Sequence, residues 1–207
     1  MHTEQQILDI LAASRKGRSL PGGLPILTQR QHLMIRYIDQ VAALPGDVIE
    51  LGVFDGLTLK TLALAAGPGK AVHGFDAFTG FTDEQVGPHD SQELKGQYTE
   101  PTKNIDNVRA FFADCPQVTL HVGLIEKTLP AFKPAALSLI HFDSDTYATH
   151  VLAFKQLWPL LQPGGIALFH DYHQARFCPG CRKAVDEFLG AKVKRGVSNE
   201  CGLVVVK

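Results

Sequence analysis

Two apolar, β-rich runs are each followed at once by acidic residues: Leu137 to Phe142 leads into Asp143-Ser144-Asp145, and Ile166 to Phe169 leads into His170-Asp171. At a strand end, residues i and i+2 point to the same side, so Asp143 and Asp145 are expected to face one way. If both runs end at the same sheet edge, three carboxylates and an imidazole converge there. Little Lys or Arg lies nearby in sequence to offset the repulsion, and a divalent cation is the economical remedy. A hydrogen-bonded acidic cluster without an ion is the plainer alternative.

A second chemical feature is the glycine turn in Val48-Ile49-Glu50-Leu51-Gly52-Val53-Phe54-Asp55-Gly56. Gly52 and Gly56 let the backbone approach a ligand, and the helix that follows offers free N–H groups and a positive dipole end. The spacing is G-x-x-x-G rather than the G-x-G-x-x-G of nicotinamide binders. Glu50 would repel a pyrophosphate but suits a cationic amino-acid ligand. The next strand ends in Gly74-Phe75-Asp76, where Asp76 either accepts the ribose hydroxyls of a nucleoside or caps the following loop. A competing pattern is His170-x2-His173 with Cys178-x2-Cys181, four nitrogen and sulfur donors that could hold zinc. It lacks a second knuckle, and its cysteines are expected to be two thiols in a surface loop.

The elements that must position these residues follow from periodicity. Residues 4 to 14 carry Ile7, Ile10 and Leu11 at helical spacing, and Gly and Pro then break the pattern. A second helix is expected from an N-cap at Thr28 to Pro45-Gly46, with Leu33, Ile35, Ile38 and Val41 as its apolar face. From Asp47, strands and helices alternate: strand 48–51, helix 57–66, strands 71–75 and 118–122, strand 137–142, helix 147–161, strand 166–169, helix 182–189. Such alternation predicts an α/β fold with a mostly parallel sheet covered on both faces. Residues 193–196 and 202–206 have too short a link for a crossover helix and are expected to form an antiparallel edge hairpin. One domain fills residues 1–207, with N-terminal helices 1–45 as a cap and a core from 47. The irregular segment 79–102 is expected to be a mobile lid.

With these blocks in place, the chain resembles the macrocin O-methyltransferase family of class I enzymes that use S-adenosylmethionine. The resemblance covers about residues 30–190 and rests on Glu50-Leu51-Gly52-Val53-Phe54-Asp55-Gly56, Gly74 to Phe81, Gly123-Leu124-Ile125-Glu126-Lys127-Thr128-Leu129-Pro130, Asp143-Ser144-Asp145-Thr146-Tyr147, and Pro163-Gly164-Gly165 followed by His170-Asp171-Tyr172. It implies a Rossmann-like methyltransferase sheet. Glu50, Gly52, Phe54, Gly56 and Asp143 would bind S-adenosylmethionine, with Gly52 at its methionine part, Asp76 at the ribose and Gly123 and Leu124 near the adenine. It also implies Asp143 and Asp171 as ligands of magnesium or manganese and Asp145 as catalytic base. His170 departs from the family pattern, where an Asp is usual, and would serve as a third ligand; imidazole shifts the preference away from magnesium.

Twenty Lys+Arg against twenty-one Asp+Glu leave a formal charge of −1, so no global field favours nucleic acid or an anionic membrane. The longest apolar stretches fall far short of the ~18 residues of a membrane span. No basic n-region precedes an apolar core at the N-terminus, and four cysteines form no disulfide framework; a cytoplasmic, reduced protein is expected. For the methyl transfer that the resemblance implies, with a metal beside Asp145 to activate the acceptor oxygen, the expected partner is a small molecule with a hydroxyl, or adjacent hydroxyls, such as a natural-product sugar, and association of copies stays open. Two rival readings are a non-catalytic S-adenosylmethionine-binding protein and a nicotinamide-dependent oxidoreductase.

Overall fold

The computed structural model describes residues 2–14, 29–99, 105–174, 176–190, 196–197 and 202–207. Among the described residues, seven strands form one sheet in the order β3-β2-β1-β4-β5-β7-β6. They are β1 (Asp47–Leu51), β2 (Val72–Asp76), β3 (Val118–Val122), β4 (Leu137–Phe142), β5 (Leu161–Phe169), β6 (Gly196–Val197) and β7 (Leu203–Val206). The first five run parallel, while β7 pairs antiparallel with both β5 and β6. The predicted edge hairpin is thus present where it is described; residues 193–195 of that expectation lie outside the described residues, as does the Thr28 cap.

Strand period two decides which helix covers which face. Val48, Leu139, Ile166, Leu168 and Val204 point to one side, where α1 (Glu4–Ser14), α2 (Gln29–Gln40), α3 (Leu57–Ala66) and α4 (Ile105–Phe111) bury Ile7, Leu11, Met34, Ile38, Leu59, Leu62 and Val108 against them. Ile49, Leu51, Ile140, Phe142, Ala167 and Phe169 point to the other. There α5 (Ile125–Thr128), α6 (Tyr147–Leu157) and α7 (Pro179–Leu189) add Ile125, Phe154, Leu157, Ala184 and Val185. Both faces of the central strands are therefore apolar, as expected for a parallel sheet.

Several boundaries differ from the sequence reading, among them the end of the second helix, which stops at Gln40 rather than running to Pro45-Gly46. The helix expected over 147–161 stops at Leu157 and tightens into a 3₁₀ turn, Trp158–Leu160. Pro159 has no N–H to continue the ladder, and β5 starts at once at Leu161, five residues earlier than expected. Helix α7 begins at Pro179 rather than Arg182, because a proline fits the first helical position, where its missing N–H costs nothing.

Pairing register positions the site. Phe75, Leu51, Phe142 and Phe169 stand in one row across β2, β1, β4 and β5. The residues that follow them, Asp76, Gly52, Asp143 and His170, therefore emerge side by side at the carboxyl edge. The sheet reverses direction of growth between β1 and β4, which is where open α/β sheets leave a crevice for ligands.

Candidate active site

A cleft of about 520 Å³ opens at this edge and is lined by Gly52, Phe54, Asp76, Asp143, Asp145 and His170 among others. Its opposite wall comes from the segment after β2, through Phe81, Leu94 and Tyr98, and from Ile125 and Glu126 at the start of α5.

Asp76 holds the glycine turn in shape. Its Oδ2 accepts the backbone N–H groups of Val53 and Phe54, both at 2.8 Å, and its Oδ1 accepts Phe78 N–H at 2.7 Å. Phe54 adopts φ +56°, a left-handed conformation unusual outside glycine, and this pair of bonds is what holds it there. Gly52 has φ +91°, and a Cβ on it would lie 2.0 Å from the Asp143 carbonyl oxygen. Close approach of β4, rather than of a ligand, thus makes glycine obligatory there.

The remaining residues assigned to cofactor are placed unequally. Glu50 does not reach the cleft: it is wholly buried beneath the turn, 2.8 Å from His141 Nδ1. Burial, with Asp143 adding to it, raises the Glu50 carboxyl well above its usual range. Burial also presses His141 down to about 3, which keeps its ring neutral beside the Glu50 carboxyl. Gly56 opens α3 at φ +85° behind Phe112, and Gly123 bonds back to the Asp76 carbonyl; neither they nor Leu124 line the cleft.

In the acidic cluster, donor atoms of Asp143, His170 and Asp171 lie within 4.8 Å of one another. The offsetting charge that is scarce nearby in sequence comes from a distant helix. Arg30, 113 residues away in sequence on α2, forms an ion pair with Asp143 Oδ2 and stands 3.4 Å from His170 Nε2. Burial opposes ionisation of Asp143, yet Arg30, with His170 and His141, holds its carboxyl below the usual range. Burial followed by the Asp143 charge lifts Asp145 to about 6, and burial followed by Asp143 and Asp145 raises Asp171 well above a normal carboxyl.

Asp145 lies beyond the strand at φ +60°, and its Oδ1 accepts the Cys178 thiol at 3.1 Å. The cysteines are accordingly not in a surface loop: Cys178 and Cys181 are 4% and 1% exposed, because α7 starts three residues earlier than expected and packs them inward. His173 is exposed, and among the described residues the donor groupings join Cys178 to Asp145 and Asp171 rather than to His170 or His173, so the His-Cys zinc pattern is not assembled.

Sequence reasoning missed Arg30, since nothing local marks a helix residue that meets a strand end this far along the chain. It also missed Ser144, whose buried Oγ has no hydrogen-bond partner and whose residue lines the cleft. Asp90 was missed as well: it accepts Tyr147 N–H at 2.7 Å, capping α6, where Thr146 makes no side-chain cap, and Gly87 N–H at 2.9 Å. The described part of the expected lid is thereby pinned at its centre. It is tied again where Phe81 and Gly96 pair through Phe81 N–H to Gln97 and Gly96 N–H to Phe81.

The comparisons agree with this geometry. The family model described as Macrocin-O-methyltransferase (TylF) matches residues 26–201. Mycinamicin III 3''-O-methyltransferase of Micromonospora griseorubida is 31% identical over 174 residues, covering 75% of this chain and 64% of that protein. A tetracenomycin rhamnosyl 4'-O-methyltransferase of Streptomyces olivaceus is 29% identical over 160 residues, covering 70% of this chain and 59% of that protein. The chain thus spans less than two thirds of the length of either relative. Among solved structures, the O-methyltransferase NovP is similar in fold, with TM-score 0.79 and 21% identity over 98% of this chain and 97% of that one. The calicheamicin methyltransferase CalS11 is also similar in fold, with TM-score 0.68 and 22% identity over 100% and 94%. On the breadth of the family match and the level of identity to the mycinamicin enzyme, the chain belongs to the macrocin O-methyltransferase family.

Proposed function

We propose that this chain transfers a methyl group from S-adenosylmethionine to a hydroxyl of a small molecule, a natural-product sugar being the favoured class, with a divalent cation at Asp143, His170 and Asp171. The observation that carries the reading is the joining, in one cleft, of the Gly52–Asp76 turn to a cluster of carboxylates and imidazole. The sugar preference rests on two relatives whose names specify a 3'' and a rhamnosyl 4' hydroxyl.

The residues present fit the cofactor. Ser144 Oγ supplies an unpartnered polar atom at the cleft. Asp76 already accepts three backbone hydrogen bonds. A carboxylate has about four lone-pair sites, so one remains for a ribose hydroxyl. They also fit a cation, because Asp171 Oδ2 is buried without a hydrogen-bond partner beside two further donors. When bound there, a divalent cation lowers the pKa of a coordinated hydroxyl and fixes its direction. Arg30 competes for Asp143 and has to withdraw from it. Asp145, held by Cys178 on one oxygen, takes the proton from the acceptor hydroxyl. The segment from Thr79 to Thr99 serves as a lid over the cleft, anchored at its centre by Asp90.

The test is calorimetry with S-adenosylhomocysteine, followed by methyl transfer to sugar hydroxyls with and without chelator. Binding, with transfer lost in chelator while cofactor affinity holds, supports the reading; no binding of S-adenosylhomocysteine overturns it. The Arg30–Asp143 ion pair favours a second reading, in which the guanidinium supplies the positive charge and no cation takes part. Transfer that persists in chelator and disappears in Arg30→Ala would select it.

A further inference from the structure

Helix α7 opens with Cys178 as its cap residue, Pro179 at the first helical position and Cys181 inside the first turn. Both thiols are free. Cys178 at the cap and Cys181 three residues on share the first turn of α7, a spacing that brings the two side chains to one face, and both are buried. Cys178 lines the cleft, while Cys181 sits behind it. Gly180 between them is required by packing: a Cβ there would lie 1.9 Å from Asp90 Oδ1, the carboxylate that also caps α6. The turn is therefore built tightly around two adjacent sulfurs, one facing the space that small molecules enter.

We propose that Cys178 and Cys181 form a reversible dithiol–disulfide couple in the cleft wall, oxidised by a low-molecular-weight disulfide. The Cys178 sulfur attacks one sulfur of the incoming disulfide, breaking its S–S bond and releasing one small thiol. The Cys181 sulfur then attacks Cys178 and releases the second. Two protein thiols and one small disulfide become one protein disulfide and two small thiols. Two electrons pass from the protein sulfurs to the reagent, and the two thiol protons leave with the released thiols. Disulfide formation draws the Cys178 sulfur towards Cys181 and removes the hydrogen that it donates to Asp145. The consequence for methyl transfer, unlike the couple itself, rests on the proposed role of Asp145.

The full chain is equilibrated in glutathione buffers of graded oxidised share, unfolded with an alkylating trap, digested and weighed. The expected result is a peptide carrying Cys178 and Cys181 that becomes two hydrogens lighter and unalkylated as the oxidised share rises, reversed by dithiothreitol, while Cys115 remains alkylated. Cys181→Ala should give no ring product. Both residues fully alkylated at every ratio would overturn the couple, as would glutathione retained on Cys178 without transfer to Cys181. Methyl transfer by the oxidised chain should fall by about 10- to 100-fold, the scale of a misplaced catalytic group. In Cys181→Ala the same treatment should instead leave one glutathionyl group on Cys178, read as its added mass, because no second thiol releases it. An oxidised chain working at the reduced rate overturns the link to Asp145. A disulfide formed in a chain that binds no S-adenosylhomocysteine supports the couple and overturns the proposed function instead.

Discussion

Replacing Asp76 separates the structural duty of this carboxylate from its proposed duty to the cofactor. Three backbone N–H groups, those of Val53, Phe54 and Phe78, donate to it at 2.7–2.8 Å. Hydrogen bonds to a charged group contribute about 1.5–3 kcal/mol each when buried, but this carboxylate is partly solvated and water can replace some of what is lost. A figure of about 1 kcal/mol per bond gives a loss of about 3 kcal/mol for Asp76→Ala. Much of that loss concerns the Val53 N–H, since Val53 is only 3% exposed. Asp76→Asn keeps one oxygen for Val53 and Phe54 but turns an amide N–H₂ towards Phe78 N–H, for a loss of about half as much. Urea denaturation reads these differences, and calorimetry with S-adenosylhomocysteine reads the second duty. Loss of one charge-assisted ribose bond should weaken binding by about 2 kcal/mol, or roughly 30-fold. An Ala variant as stable as the parent would refute the account of the turn. A destabilised variant that binds S-adenosylhomocysteine with parental affinity would refute the ribose assignment and leave the turn standing.

Gly52→Ala should be among the most damaging single changes, costing more than ~4 kcal/mol, because the new methyl meets the Asp143 carbonyl oxygen just past β4 at 2.0 Å; a thermal midpoint close to the parent's would contradict this. Asp90→Ala removes the α6 cap and the Gly87 bond, so stability should fall by about 2 kcal/mol and amide exchange should quicken over residues 81–97, whereas unchanged exchange would show that Asp90 does not pin the segment. With the Asp145 carboxyl at about 6 and required ionised, the rate should rise with pH through an acid limb. A cation held at Asp143, His170 and Asp171 would lower that limb below pH 6 by favouring the carboxylate. Asp145→Asn should abolish the limb and cut the rate by ~10²-fold or more, and a variant of undiminished rate would remove Asp145 from the reaction.

Much of the architecture was legible because its signals are local. Alternation of apolar strands with helices announced the parallel sheet, and Leu57–Ala66, Val118–Val122 and Leu137–Phe142 are bounded as their periodicity and flanking turns suggest. The short link before Leu203 announced the antiparallel edge. The approach of Asp76, Gly52, Asp143 and His170 was foreseeable in outline, since each follows a strand that had to end at one sheet edge.

What stayed hidden depends on contacts between residues distant in sequence. Arg30 reaches Asp143 only because α2 packs its Met34, Ile35 and Ile38 onto one sheet face and so carries its start to the carboxyl edge. The function of Asp76 as the support of the Phe54 turn, the burial of Glu50 against His141, and the capping of α6 by Asp90 have no local pattern either. Sequence by itself determined which residue types arrive at the carboxyl edge, because hydrophobic period and turn chemistry act over a few residues. Only the tertiary structure decided how their charges are balanced and which of them face the cleft, because electrostatics and burial are properties of neighbours in space.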